Sequence, residues 1–384
     1  MGLFLSPAAA AESSDFQPGG VFGSSALTGL SSHPGKPWHA SSESLFSSPL
    51  SSQSGINALL SSLAVVGSSE VSAMGNTFIE PAFPTREGIT TPEIISKQQE
   101  EKAQRWTIAS PALKREVEVL VRPARGASIS SPVLYLLDGV DAAPTGDWLN
   151  LGDVSQFDDD VTLVMPTQAR ASLWLDWVND DPVLGHNMWE TFLTKELPGV
   201  IESQPEVRFN GKRAIGGISM GANGAVMIAN LNPGMYDGVF GISGCYSTLD
   251  KTGRQITNLT LATRGGNVDN VWGPYGADGW RRHDVTSDPR GLAHTRLFLS
   301  AGSGVLMEQE RELFYSGDKP FDIVTTNVLE TGVRTCTQNL ADSLQSHHQL
   351  ADTKIVYTDR GSHTWINFNT QIGPAWEHIR SALY

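Results

Sequence analysis

A series of short, uninterrupted apolar runs, each closed by turn residues, constrains this chain most: "PVLYLLDG", "DVTLVMP", "KRAIGGIS", "GVFGIS", "TRLFLSA" and "TKIVYT". Runs of this kind read as strands covered on both faces. Helical spacing fills the gaps between them. Trp189, Phe192, Leu193, Leu197, Val200 and Ile201 recur on one helix face, "MGANGAVMIANL" forms a helix that stops before Pro233, "VLETGVRTCTQNLADSLQ" reads as another, and "PAWEHIRSALY" closes the chain. The alternation predicts an α/β fold with a mostly parallel central sheet and helices on both faces. "REVEVLVRP" alternates Val117, Val119 and Val121 with polar neighbours, which predicts a half-exposed strand near a sheet edge. Ligands of such sheets bind beyond the carboxyl ends of the strands. Asp138, Ser219, Ser243 and His363 all fall there.

Serine is spread unevenly along the 384 residues, with "SSESLFSSPLSSQS" and similar stretches confined to the first 80. Residues 13–99 therefore read as a serine-rich extension with little core of its own, and residues 100–384 as one globular domain. Residues 1–12, "MGLFLSPAAAAE", resemble the end of a secretory signal. The formal charge of −14 argues against nucleic acid or anionic lipid as the main partner. No run of 18 apolar residues is present, so no transmembrane segment is expected. Nor is there metal-ligand spacing such as His-Glu-x-x-His or Cys-x-x-Cys, and no metal or cofactor is implied.

The stretch "AIGGISMGANGA" places Ser219 in a Gly-x-Ser-x-Gly pattern between a strand and a helix, the sequence form of a nucleophile elbow. A serine hydroxyl needs a base, and the base an orienting acid. In hydrolases of this topology the chain order is serine, acid, histidine. Of the downstream histidines, His283, His347, His348 and His378 sit in charged stretches or helix ends. His363 follows a short strand in a Gly-Ser-His loop, where the base belongs. Asp284, Asp288, Asp318, Asp322, Glu330 and Asp342 all lie between serine and histidine, and spacing does not choose among them.

Longer motifs extend the reading. "SPVLYLLDGVDA", "VTLVMPTQARASLWLDW", "WETFLTKELPGVIES" and "RAIGGISMGANGA", followed in order by "VWGPYGADGW", "TRLFLSAGSG", "VLETGVRT" and "GSHTWINF", resemble the mycolyltransferases, the secreted antigen 85 complex and its relatives. The resemblance covers nearly all of residues 105–384. It implies an α/β-hydrolase fold with Ser219 as nucleophile, His363 as base and, from "VLETGVRT", Glu330 as acid. It further implies an oxyanion hole from the N–H groups of Val140 and Met220, and a trehalose site lined by Asp138 and Trp365. Two departures stand out: Asp141 occupies a position where the family carries arginine, and Ala301 one where some relatives carry cysteine. The resemblance implies an exported enzyme of the cell envelope. Its substrate would be a trehalose mycolate-type glycolipid, with trehalose or an envelope polysaccharide as acceptor. Other readings are a carboxylesterase of the same fold and a non-catalytic glycan- or matrix-binding relative. An exported chain with two cysteines, Cys245 after a strand end and Cys336 beyond Glu330, is expected to join them in a disulfide.

Overall fold

The six apolar runs form six adjacent strands of a nine-stranded sheet. The computed structural model describes residues 81–126, 130–316 and 320–384; the signal-like start and the serine-rich stretch through residue 80 lie outside them, as does Asp318. Three strands come first, β1 (Glu93–Gln99), β2 (Gln104–Ser110) and β3 (Arg115–Arg122), paired antiparallel. The apolar runs follow as β4 (Ser131–Leu137), β5 (Thr162–Pro166), β6 (Phe209–Ile218), β7 (Gly238–Ile242), β8 (Arg296–Ala301) and β9 (Thr353–Tyr357). The order across the sheet is β1-β2-β3-β5-β4-β6-β7-β8-β9. β3 meets β5 antiparallel, and every pair from β5 to β9 is parallel.

Two expectations need correction here. β3 is not near the edge but third from it, because the polar, weakly patterned strands "EIISKQQ" and "QRWTIAS" extend the sheet beyond it. Its alternation thins out along its length: Leu120 and Arg122 are buried as well as Val117, Val119 and Val121. The sheet also begins at Glu93, inside the stretch read as an extension, so the boundary at residue 100 falls too late.

Helices cover both faces. α1 (Leu197–Glu202) and α2 (Met220–Leu231) lie on one side, whose core holds Trp174, Trp189, Phe192, Val226 and Ile228. Just before α1, Phe192–Glu196 winds as a π-helical turn. Pro198 explains this: it has no N–H to donate, and its ring crowds the carbonyl four residues back. The chain then continues through α3 (Lys251–Ala262), α4 (Glu308–Ser316) and α5 (Pro320–Ser346). α6 (Trp365–Ile379) packs Phe368, Ile372, Trp376 and Ile379 on the opposite face, against Trp148, Phe157 and Phe240. It starts nine residues ahead of Pro374, where the sequence had suggested a beginning. Thr364 caps it by accepting from the Asn367 N–H, and the apolar spacing carries through the proline.

Candidate active site

The turn between β6 and α2 holds Ser219 at φ +53°, a conformation that L side chains rarely adopt. Its neighbours make the turn possible. A Cβ on Gly221 would lie 2.1 Å from the Leu137 carbonyl oxygen, and one on Gly217 would lie 2.3 Å from the Gly221 carbonyl carbon. Only glycine lets helix, turn and strand approach this closely. The Ser219 N–H donates to the Ile242 carbonyl at 2.9 Å, tying the turn to β7.

Two segments far along the chain meet this turn. His363 Nε2 lies 2.7 Å from Ser219 Oγ, and His363 Nδ1 lies 2.7 Å from Glu330 Oε2. An ionised carboxylate only accepts, so Nδ1 carries the hydrogen and Nε2 accepts from the serine hydroxyl. Glu330 is fully buried on α5. Its other oxygen, Oε1, accepts from the Ser243 hydroxyl at 2.7 Å, the Gly302 N–H at 2.5 Å and the Asn367 side-chain amide at 3.2 Å. Three donors fix one oxygen and leave the other for the histidine. The His363 ring also rests edge-on against Phe368, with centroids 5.1 Å apart.

The histidine loop has a second carboxylate beneath it. Glu310 of α4 is fully buried. It accepts from the Ser362 N–H at 3.1 Å, the Ser362 hydroxyl at 2.9 Å and the Thr364 hydroxyl at 2.5 Å. The residues on either side of His363 are thus anchored to one side chain. Sequence reasoning missed Glu310 entirely, since nothing in its local pattern separates it from the other acids of "MEQERE". Ser243 was noted only for its place after a strand, and the donors Asn367 and Gly302 not at all.

The competing candidates have other partners. Asp284 accepts from the N–H groups of Thr248, Leu249 and Ser287 and from the Ser247 hydroxyl. Asp288 pairs with Arg290 on the surface. His283 is buried, stacks on Trp272, donates from Nδ1 to the Gly279 carbonyl at 2.7 Å and lies 3.5 Å from the Glu190 carboxylate. His378 contacts the Asp352 carbonyl.

A cavity of about 200 Å³ opens on Ser219 and His363. Val140 and Met220 flank the serine in its wall, and Ile256 and Leu259 of α3 face Leu329 and Val333 of α5 across it. Cys245 and Cys336 form a disulfide just behind, packed with Ile256, Leu259 and Val333. It joins the segment after β7, which carries Ser243, to the helix that carries Glu330.

Neither Asp138 nor Trp365 lines this cavity. Asp138 is 2% exposed, and its two oxygens accept from the N–H groups of Gly139 at 2.9 Å and Asp147 at 2.8 Å. Burial, reinforced by the charge of Asp147, pushes its carboxyl up to about 7. Its carbonyl accepts from the Trp174 indole N–H, so the residue braces the turn that carries Val140. Trp365 starts α6, half-buried, with its ring edge-on to Trp148 at 5.4 Å and to Phe368 at 5.8 Å. Asp141 pairs with Arg264, which follows α3, at 2.8 Å.

The esterase family model matches residues 110–378. The diacylglycerol acyltransferase/mycolyltransferase Ag85A of Mycobacterium tuberculosis is 27% identical over 294 residues, covering 72% of this chain and 80% of the relative. Among solved structures, Mycobacterium tuberculosis MPT51 superposes with a TM-score of 0.60 at 20% identity, over 72% of this chain and 96% of that one. An S-formylglutathione hydrolase from Agrobacterium tumefaciens gives 0.56 at 18% identity, over 76% and 100%. These structures share the α/β-hydrolase fold. The chain belongs to the esterase family, and within it its sequence is similar to the Ag85 mycolyltransferases.

Proposed function

We propose that the protein is an exported serine acyltransferase that moves a mycolyl-type chain from a trehalose monoester to trehalose or an envelope polysaccharide. The observation that carries the reading is the hydrogen-bonded line from Ser219 through His363 to Glu330, opening into an apolar-walled cavity. Ser219 Oγ attacks the ester carbonyl while His363 Nε2 takes its proton. The N–H groups of Val140 and Met220 face the developing oxyanion, and Glu330 stabilises the imidazolium. His363 returns the proton to the departing sugar oxygen, which leaves an acyl-enzyme. An acceptor hydroxyl then gives its proton to His363 and attacks the acyl carbonyl, and His363 returns that proton to Ser219 Oγ as the acyl–oxygen bond breaks. The apolar walls from α3 and α5 suit an acyl chain. The disulfide supports export, because such bonds persist in oxidising compartments.

One observation favours the simpler carboxylesterase. Asp138 accepts from backbone N–H groups and neither it nor Trp365 lines the cavity, so on this reading the sugar contacts implied by the resemblance would not orient an acceptor against water. Two measurements decide. Ser219→Ala is expected to abolish labelling by a fluorophosphonate probe and to lower turnover by about 10⁴-fold or more; a variant that keeps a tenth of the activity refutes the nucleophile. Wild-type acyl-enzyme formed from a small activated ester is expected to yield sugar ester when trehalose is added. Free acid alone, at every sugar concentration, leaves the esterase.

A further inference from the structure

Most polar side chains in the wall of the Ser219 cavity are already committed. Ser219 faces His363, the Ser243 hydroxyl donates to Glu330, and Arg264 pairs with Asp141. The Thr260 hydroxyl donates to the Ile256 carbonyl and the Thr263 hydroxyl to the Leu259 carbonyl, each at 2.9 Å, and Thr325 is engaged as well. Asn223 is the exception. It lines the same cavity and is 6% exposed.

One bond fixes how this amide is turned. α2 packs tightly on the segment after β7, where a Cβ on Gly244 would come within 2.8 Å of the Ala222 methyl. That approach brings the Asn223 side chain to the Cys245 N–H, which donates to Oδ1 at 2.5 Å. A backbone N–H only donates, so Oδ1 must take this bond and Nδ2 points the other way with two hydrogens. Among the described residues no acceptor meets Nδ2, and the open space that the side chain lines is the cavity. Holding Cys245 needs an acceptor alone. The amide hydrogens are surplus to that task.

The place of this donor selects its ligand. The Asn223 N–H donates to the Ser219 carbonyl at 3.2 Å, which sets the residue one helical turn from the nucleophile. Its anchor, Cys245, packs with Ile256, Leu259 and Val333, which also form the apolar wall. The donor therefore sits beside Ser219 where the apolar wall begins. An acyl chain that fills the cavity displaces water from it, and a plain hydrocarbon chain leaves the amide hydrogens against carbon. A chain with an acceptor oxygen a few carbons from its ester carbonyl satisfies them.

We infer that Asn223 determines acyl specificity: Nδ2 donates to a hydroxyl oxygen that the acyl chain carries a few carbons from its ester carbonyl. The inference rests on the acyl-transfer reading above and names the acyl groups that the site selects. It is tested by following p-nitrophenol release by the full-length protein from the p-nitrophenyl esters of acetate, octanoate, 3-hydroxyoctanoate and 3-methoxyoctanoate, with both enantiomers of the last two. For one enantiomer of the hydroxy ester, kcat/KM is expected to exceed that of octanoate about 5- to 100-fold. Asn223→Leu, of similar volume, is expected to bring that ratio close to one. Asn223→Asp keeps an acceptor for the Cys245 N–H but has no hydrogens to give. A hydroxyl can still donate to it and a methoxy oxygen cannot, so the methoxy-to-hydroxy ratio is expected to fall about tenfold from its wild-type value. Wild-type protein that does not distinguish the hydroxy ester from octanoate overturns the inference, and so does a preference that survives Asn223→Leu. Equal losses on every ester, acetate included, overturn it too, since they would make Asn223 a donor to the oxyanion. Acetate and the fluorophosphonate probe carry no such oxygen and judge acyl-enzyme formation separately. Normal acetate turnover without the preference removes only this inference; failure with both removes the acyl-transfer reading and this inference with it.

Discussion

The two halves of the candidate site are built in different ways. The nucleophile half is backbone: a strand end, a strained serine and glycines pressed against carbonyls, all within β4, β6, β7 and α2. The acid–base half is assembled from side chains. Glu330 draws its four partners from Ser243, Gly302, His363 and Asn367, and the His363 loop hangs on Glu310 of yet another helix. A backbone turn tolerates the loss of a polar neighbour but not an added methyl. An assembled network tolerates small changes of volume but depends on every donor and acceptor.

The largest test of that contrast is Glu330→Gln. A neutral amide neither stabilises the imidazolium nor holds the tautomer, and the rate of acylation is expected to fall about 10³–10⁴-fold. Asp342→Asn, on the same helix but outside the network, serves as its comparison. Equal losses would mean that the helix, not the carboxylate, matters.

Next in size is the disulfide. Replacing Cys245 and Cys336 together by alanine is expected to cost about 2–5 kcal/mol in a urea unfolding curve. The extra hydrogen exchange should concentrate in α5 and leave α2 protected. A loss shared evenly by both helices would erase the division into two halves.

Glu310→Gln sharpens it further. Gln keeps the shape but puts an amide N–H₂ against the donors of Ser362 and Thr364. Misplacement of His363 is expected to lower kcat about 10- to 100-fold with KM for a small ester less affected. The acidic limb of the pH–rate profile should move as well, which a purely structural loss would not do.

The backbone half is tested by pH instead. The Asp138 carboxyl is held at about 7 in the folded protein, against about 4 in an unfolded chain. Between these values the folded state keeps a proton that the unfolded state has released. Stability therefore falls as pH rises through that window, by about 1.4 kcal/mol per pH unit. Asp138→Asn is expected to flatten the slope of melting temperature against pH between about 5 and 7. Parallel slopes in both proteins would show that the carboxyl titrates as it does in water.

The same division separates what could be read in the sequence from what could not. The strands that carry Ser219 and Asp138 announced themselves as apolar runs, because burial on both faces leaves a local trace. His363 could be picked from chain order and its place after a strand. Glu330 could not be told from five other carboxylates by spacing, since the bonds that distinguish it come from residues 28 to 87 positions away; only the longer motif resemblance selected it. Glu310 and the Asp141–Arg264 pair left no signal, because side-chain hydrogen bonds across the chain have no period. β1 was missed for a related reason: it lies at the polar edge of the sheet, and exposed strands lack the pattern that buried ones must have, while β2 beside it buries Trp106 and Ile108 in too short a run to stand out.

The separation of 144 residues between Ser219 and His363 has a consequence during synthesis. Translation at about 5–20 residues per second leaves the serine waiting roughly 7 to 30 s for its base. Throughout that interval the growing chain carries the strained turn but nothing to take the hydroxyl proton, and a serine in that state is a weak nucleophile. The acid arrives 33 residues before the histidine and has nothing to orient until then. On the proposed mechanism, reactivity toward esters is thus withheld until the histidine loop has been made, and a fragment ending before residue 363 is expected to stay inert toward them.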